Sequence, residues 1–475
     1  FCNGPIGMIR SIPGIIILLP LALPAENSSQ VLDTRLLTPL SSHSAPGTPF
    51  TLRVNGARDS RAVPALAPGT LIAGRVRKSS PLGFGLRRER ALLELDFKGC
   101  HSEEGDAVGC EVDLVAIDNA RETVAPDNQV RGAIAASHPH SWLNGIWFRP
   151  VGALPHRAAL GLTGASGMIQ EGLAEAPILG ALVIGVRLIF FRLPNTEIEL
   201  PSGTDILVRV RTPTASTLRI DWSVPEGLDE DLRTTLIAAP VMVTKPKGKT
   251  AADIINFAFL TTEERLLQSF EAAGWSVAEP LTPKTFLRTY AAVSAMKAYP
   301  NAPVSPIFYE GKLPDFVFQK SFNSLAKRHH IRVWRAGPRL WLGAATHDVS
   351  VAFLWKSMSF THLIDPLIDR EREKILNDLG AADCVQGLAM LPRPEVAVDK
   401  PAPERAVTDG AMAVVSLREC APGGPEARPT RPRQSLARKA VRRVVLETRH
   451  YLTRGSAYYL SYQMVRRARV SWRNE

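Results

Sequence analysis

The sequence lacks the short motifs that identify the commonest enzyme classes. It contains no HExxH zinc motif, no EF-hand loop and no glycine-rich dinucleotide fingerprint. The tripeptide Gly-Lys-Thr at 248–250 matches only the end of a phosphate-binding loop, because Val243 stands where that loop needs its first glycine. Met168 likewise stands where a nucleophile elbow around Ser166 needs its second glycine. The sequence therefore names no cofactor and no catalytic class.

Cysteine is scarce, with five residues in 475, and none is arranged as CxxC. Cys384 and Cys420 have no metal-ligand spacing. Cys100 and Cys110 flank a polar stretch between two strand-like segments, 90–97 and 111–117, which predicts a hairpin. These two cysteines are either bridged in an oxidising compartment or are unrelated thiols.

Excess charge is almost absent from the first 430 residues. The net charge is +11, and residues 431–475 hold twelve Lys or Arg against two Glu, which accounts for +10 of it. A nucleic-acid footprint should instead lie on a folded face, so no nucleic-acid partner is expected. The basic tail is an amphipathic helix on anionic lipid, a solvated helix or the product of a wrong stop codon.

Apolar runs long enough to span a bilayer are also lacking. Residues 12–23 are apolar, follow Arg10 and end at the small residue Ala25, which predicts a signal peptide over 8–25 with translation from Met8. We therefore expect export to the periplasm or outer envelope. The run at 176–191 has 16 residues and contains Arg187. It is predicted as a buried or membrane-surface helical hairpin, with membrane insertion as the alternative.

A turn followed by a strand is repeated three times, at 46–54, 68–76 and 202–210. Each copy places Gly after Pro or Ser, as a tight turn requires, and continues in β-favouring residues. The pattern predicts a β-rich module over 30–225, folded as a sandwich or partial barrel. Residues 385–430 alternate prolines, charges and small residues without periodicity, which is typical of a linker.

The second half resembles a known family in the order and spacing of five segments. They are a strand and helix ending at Trp275 (251–275), a Pro- and aromatic-rich segment (303–319), Lys-Arg-His-His-Ile-Arg-Val-Trp-Arg (327–335), Trp-Leu-Gly-Ala-Ala-Thr-His-Asp (341–348) and a segment with two Asp (361–372). Together they resemble the LssY C-terminal domain over residues 251–383. The segments 35–42, 67–76 and 117–124 resemble β modules of exported bacterial proteins that precede this domain, and more distantly envelope components of secretion and conjugation machines.

The resemblance implies association with the cell envelope but brings no activity or catalytic residue. The family domain also follows DedA-like and lipid-phosphatase-like membrane regions, and it was named from a type I secretion locus. The chemistry must therefore be inferred from residue types.

Side chains alternate along the predicted strand at 328–335, which places His330 and Arg332 opposite Ile331 and Val333. The apolar pair marks its face, shared with His329, as core. We therefore predict that His330 and Arg332 face water, where a histidine titrates and an arginine can grip a phosphate or carboxylate.

Later segments add His347, Asp348, His362 and Asp365 to the candidate site residues. Three segments could bring two or three imidazoles and a carboxylate together as a metal site, although none of the spacings is a known ligand signature. The alternative is structural: His next to Arg forms framework hydrogen bonds, and Asp365 and Asp369 cap the helix that follows.

The predicted fold class is α+β. It combines an N-terminal all-β sandwich or partial barrel, a mixed α/β domain over 245–384, the linker at 385–430 and a disordered basic tail at 431–475. The expected function is that of an envelope binding or assembly component loosely associated with secretion, with envelope components or anionic lipid as partners and membrane contact through 176–191 or the tail. The alternative is a hydrolase of an anionic, phosphate-bearing envelope substrate, with His330, His347 or His362 as base or ligand and Arg332 binding the anion.

Overall fold

The structure describes most of the chain between residues 28 and 449. This computed structural model describes residues 28–58, 64–84, 88, 90–133, 195–212, 222–244, 251–294, 298–324, 327–354, 359–393, 407–421, 423, 426–430, 432 and 434–449. The predicted signal peptide at 8–25 and the apolar run at 176–191 lie outside these residues. No helix in the described part is both long enough and apolar enough to cross a membrane.

The N-terminal unit is built from strands, as predicted. They are β1 (Ser28–Leu36), β2 (Leu40–Ser41), β3 (Pro49–Ala57), β4 (Leu71–Ser80), β5 (Leu92–His101), β6 (Ala107–Val108), β7 (Glu111–Ile117), β8 (Thr123–Ala125), β9 (Gln129–Arg131), β10 (Glu199–Leu200) and β11 (Asp205–Thr212).

One antiparallel sheet dominates this unit, in the order β7-β11-β1-β3-β4-β5-β9-β8 with β6 beside β5, and β2 pairs with β10. The backbone amide of Leu114 in β7 donates to Asn128 Oδ1 in the β8–β9 turn, at 2.7 Å. This bond joins the two ends of the sheet, so the sheet curls into a partial barrel. Its interior is filled by buried apolar side chains such as Leu32, Phe50 and Ile72.

The repeated turns are confirmed. Gly47, Gly69 and Gly203 have φ angles of 88°, 92° and 86°, a region that favours glycine. They precede β3, β4 and β11, so the local turn chemistry of the sequence sets the start of each strand.

The rest of the described chain combines helices with strands. The helices are α1 (Glu230–Ala238), α2 (Glu263–Ala272), α3 (Pro283–Ser294), α4 (Ile368–Ala381) and α5 (Leu436–Arg449). The strands are β12 (Met242–Thr244), β13 (Ala251–Ile254), β14 (Phe257–Leu260), β15 (Ser276–Val277), β16 (Phe316–Lys320), β17 (Arg328–Arg335), β18 (Leu340–Leu354), β19 (Ser359–Ile364), β20 (Val385–Leu391) and β21 (Met412–Leu417).

A mixed sheet forms the centre of this second unit, in the order β15-β16-β17-β18-β14-β21-β20 with β19 beside β18. Strands β14 and β21 are parallel, whereas the other neighbours are antiparallel. With the all-β first unit, this sheet and its helices confirm the predicted α+β class.

Both faces of the central sheet are covered. On one face, α2 and α4 bury Phe270 and Leu379 against residues such as Ile331. On the other, α1 and β12 contribute Leu236 and Val243 to a second core. Strands β17 and β18 are therefore enclosed on both sides.

Helix α2 shows how local sequence sets a covering element. The Thr262 side chain accepts a hydrogen bond from the Arg265 amide and caps the first turn, and Glu263 and Glu264 favour the positive end of the helix dipole. Leu266 and Phe270 lie four residues apart, so they share the buried face.

The predicted boundaries need correction. The linker at 385–430 is wrong for Val385–Leu391 and Met412–Leu417, because β20 and β21 pair with each other and β21 also pairs with β14 in the core. Ser223 bridges to Gly387, so the chain already belongs to the second unit before residue 225. The tail predicted as disordered contains the helix α5, although residues 450–475 lie outside the described part.

Two disulfides are present. Cys100–Cys110 staples the hairpin, which decides between the two alternatives left open by the sequence. Cys384–Cys420 joins the residue before β20 to the segment after β21, and it was not predicted.

Candidate functional site

The alternation along β17 and the burial of the face with His329 were predicted correctly, but the exposure of the opposite face was not. His329 lies directly opposite His347 of β18, and His330 lies opposite Thr346. His330 and Arg332 are only 3% and 5% exposed, so the prediction that they face water is wrong. The reason is tertiary, because Asp253 of β13 and the Ser305 carbonyl contact Arg332, and the second core packs on the same face at Trp334.

The residues on that face hold framework contacts. His330 Nε2 lies 2.8 Å from Thr346 Oγ1, and its Nδ1 lies 3.7 Å from Asp348 Oδ2. Arg332 donates from Nη1 to Asp253 Oδ2 at 2.7 Å and from Nη2 to the Ser305 carbonyl at 3.2 Å. These interactions match the structural alternative rather than an open anion site.

Asp365 contacts a nearby backbone amide rather than a site shared with His330. His362 pairs through its backbone with Val351, and its side chain lies outside the described atoms. Asp365 Oδ1 accepts from the Leu367 amide at 3.0 Å, immediately before α4. Asp365 therefore orders the approach to this helix.

A different histidine pair lies where the two units meet. Both ring nitrogens of His329 donate to carboxylates, Nε2 to Asp118 Oδ2 at 2.8 Å and Nδ1 to Glu371 Oε2 at 2.5 Å. His347 Nε2 donates to Asn119 Oδ1 at 2.9 Å. Asp118 and Asn119 belong to the turn after β7, whereas Glu371 belongs to α4. Both histidines thus belong to the second unit, and their polar partners come from both units.

The two imidazoles differ in charge. Burial alone lowers the pKa of His329, but the Glu371 and Asp118 carboxylates outweigh it and raise this pKa to about 10. Burial, together with the charge of His329, lowers the pKa of His347 well below its usual value. A protonated ring therefore stacks on a neutral ring, with centroids 4.2 Å apart.

A second polar cluster, the carboxylate–cation cluster, lies beside the histidine pair. It consists of Asp205, Asp378, Arg35, Lys320 and Lys374. Asp378 accepts from Lys374 at 2.7 Å, Lys320 at 2.9 Å and Arg35 at 3.1 Å. Asp205 contacts the same three cations at 2.8, 2.6 and 3.2 Å.

Three cations around two carboxylates determine the ionisation of this cluster. Burial raises the pKa of each carboxyl, but the charges of Lys320 and Lys374 outweigh it and lower the pKa of both Asp205 and Asp378. Because Arg35 and Asp205 come from the first unit and the others from the second, the cluster joins the units by buried charge.

A cleft of about 1300 Å³ opens beside these clusters. Both units line it, with Arg35, Arg53 and Asp118 from the first and Lys320 and Ser321 from the second. The carboxylate–cation cluster and the Asp118 turn therefore form parts of its wall.

Comparison with known proteins identifies the second unit. Residues 236–412 match the family model described as LssY C-terminus. These residues form an LssY C-terminal domain. The match exceeds the predicted span of 245–384 and includes β20, in agreement with the sheet. No curated protein matches the chain.

The LssY C-terminal domain supplies most of the clustered polar residues. Sequence reasoning missed Asp118, Asn119 and Glu371, and it treated His329 only as core. One usable signal was in α4, where Glu371, Lys374 and Asp378 recur at helical spacing on the same side as the core residues Ile375 and Leu379. The Asp-Asn pair directly after a strand was the other.

Proposed function

We propose that this protein is an exported cell-envelope component with a binding or assembly role, loosely associated with secretion, that takes an anionic envelope ligand in the cleft between its two units. The LssY C-terminal domain supports the envelope association, since that is what the family resemblance implies. Two disulfides agree with an oxidising compartment.

The position of Arg53 is the observation that supports an anionic ligand. It lines the cleft and donates from Nη2 to the Ala381 carbonyl at 3.1 Å. Among the described residues it forms no ion pair, and burial together with the Arg35 charge lowers its pKa. A phosphate or carboxylate beside Arg53 would relieve this repulsion through a charge-assisted hydrogen bond.

The charged side chains that line the cleft show where an anionic group would bind. Arg35, Arg53, Arg121, Lys320 and Arg428 face five carboxylates, so the lining is balanced overall. The positive surplus is local, at the carboxylate–cation cluster and Arg53. We therefore place the anionic group of the ligand there.

The hydrolase alternative has less support. It assigns the role of base or ligand to His330, His347 or His362 and anion binding to Arg332, and the side chains of His330 and Arg332 are buried in contacts with protein.

Replacing Arg53 by Gln should weaken binding of phosphate-bearing ligands at least about tenfold, because one charged hydrogen bond is lost. The probes are glycerol phosphate, measured by calorimetry, and vesicles with phosphatidylglycerol, measured by co-sedimentation. Arg75→Gln is the matched control, since Arg75 is exposed on β4 and does not line the cleft. Wild-type protein that binds neither probe, or equal loss in both variants, would contradict the cleft assignment.

Export has its own test. A fusion of residues 8–30 to a reporter that is active only outside the cytoplasm should be active and should be processed near Ala25. The control replaces Leu18 and Leu19 by Arg, which interrupts the apolar run and should retain the reporter inside the cell. An unprocessed, inactive wild-type fusion would remove the periplasmic assignment but not the cleft.

A further inference from the structure

The histidine pair and the Asp118 turn have the composition of a metal site. One carboxylate oxygen of Asp118 and one ring nitrogen each of His329 and His347 lie within 4.8 Å of one another. We propose that these three side chains bind a divalent transition-metal ion, with Zn²⁺ as the best fit. Two imidazoles and one carboxylate, with a further position left for water or ligand, are a ligand set that Zn²⁺ adopts.

A carboxylate stands behind His329 as metal-binding histidines require. Glu371 accepts from Nδ1, which fixes the ring and directs Nε2 toward Asp118. Such a carboxylate–histidine pair orients the ligand and makes the metal-facing nitrogen more basic. An ion would displace the Nε2 proton to solvent, while Glu371 would keep the proton on Nδ1.

Two buried atoms at this place lack partners, which a purely structural ion pair does not explain. Glu371 Oε1 and His347 Nδ1 have no hydrogen-bond partner within the described part of the protein. Glu371 is 2% exposed, so its second oxygen is not satisfied by bulk water. These side chains therefore offer more potential metal-ligand atoms than their present hydrogen bonds use.

The turn that carries Asp118 is built to hold its shape. Asn119 has a φ of 51°, an uncommon conformation that Asn tolerates better than most residues. Its amide nitrogen donates to the Lys320 carbonyl at 3.2 Å, so its oxygen faces His347. Asn119 thereby offers a further oxygen beside the three ligands.

The site also has an entry path. Asp118 and Asn119 both line the cleft, whereas His329 is fully buried behind them. An ion can therefore approach from the cleft, and a ligand held there can reach it. The metal site does not depend on which anion the cleft binds.

The test uses the full chain without a histidine tag, stripped with chelator and titrated with Zn²⁺ and with Co²⁺. We expect one Zn²⁺ per chain by elemental analysis after dialysis and the visible absorption of low-coordinate Co²⁺. His347→Ala and Asp118→Asn should abolish both signals. Glu371→Gln should weaken binding about 10- to 100-fold, as loss of an outer-shell carboxylate does.

His330→Gln is the matched control, because His330 is the adjacent buried histidine on the opposite face of β17. It should bind Zn²⁺ and Co²⁺ as the wild type does. Circular dichroism checks that each variant is folded, and the wild-type titration stands even if a variant is not. A wild type that retains neither metal after dialysis, or a folded His347→Ala that binds both normally, would overturn the proposal.

Discussion

Replacing Asp378 by Asn should lower the free energy of unfolding by about 3 to 5 kcal/mol, the usual cost of breaking a buried ion pair from one side. Asp378 is fully buried and accepts from Lys374, Lys320 and Arg35. Asn keeps the shape but removes the charge, which leaves three buried cations around Asp205 alone. Denaturant unfolding followed by tryptophan fluorescence measures the loss.

Two controls separate charge imbalance from ordinary loss of contacts. Lys374→Met should cost less, because Lys320 and Arg35 still balance both carboxylates. Asp96→Asn removes an exposed pair with Lys98 and should change stability by at most about 1 kcal/mol. If Asp378→Asn costs no more than Asp96→Asn, the carboxylate–cation cluster does not hold the units together.

The pH dependence of the unfolding free energy gives an independent check on the same variant. The folded-state pKa of Asp378 lies below its ordinary value of 3.8. Its contribution is therefore present above about pH 4 and is lost as the pH falls toward the folded-state pKa. The stability difference between wild type and Asp378→Asn should shrink over that range, and a constant difference would argue against the ionic explanation.

Removing the Cys384–Cys420 disulfide should cost about 4 kcal/mol, because a 36-residue separation leaves a large loop unconstrained in the unfolded chain. The double variant Cys384→Ala with Cys420→Ala measures this loss in denaturant. Cys384 is also fully buried in the core of the second unit. Replacing it by Ala should therefore not offset the stability that is lost when the loop is opened.

The other disulfide is the matched control. Cys100–Cys110 closes a separation of only 10 residues, and its removal should cost about 3 kcal/mol. Reductant should bring the wild type toward the variants. A larger loss at Cys100–Cys110, or no effect of reductant, would contradict this ranking.

How far the sequence predicts the molecule is visible at β17. Alternation placed His329 with Ile331 and Val333 and placed His330 on the opposite face, and both assignments are confirmed. The inference that the second face is wet failed. Nothing within the segment records that β13, the segment around Ser305 and the second core would pack over it.

The linker prediction failed for a related reason. Proline-rich flanks hid both β20 and β21, and β21 shows no alternation because it is buried on both faces. A run such as Met-Ala-Val-Val-Ser-Leu cannot be distinguished from other apolar segments by period alone. Its pairing with β14 and β20 depends on residues far away in the chain.

The sequence by itself determined the local features of this protein: the glycine turns at 47, 69 and 203, the β-rich first unit, the hairpin cysteines and the LssY C-terminal domain. Each depends on neighbouring residues or on a family pattern within one segment. The tertiary structure alone decided which histidines meet. The pairing of β17 with β18 sets His329 opposite His347, and the docking of the two units adds Asp118, so that ligand atoms from residues up to 229 positions apart lie within 4.8 Å of one another.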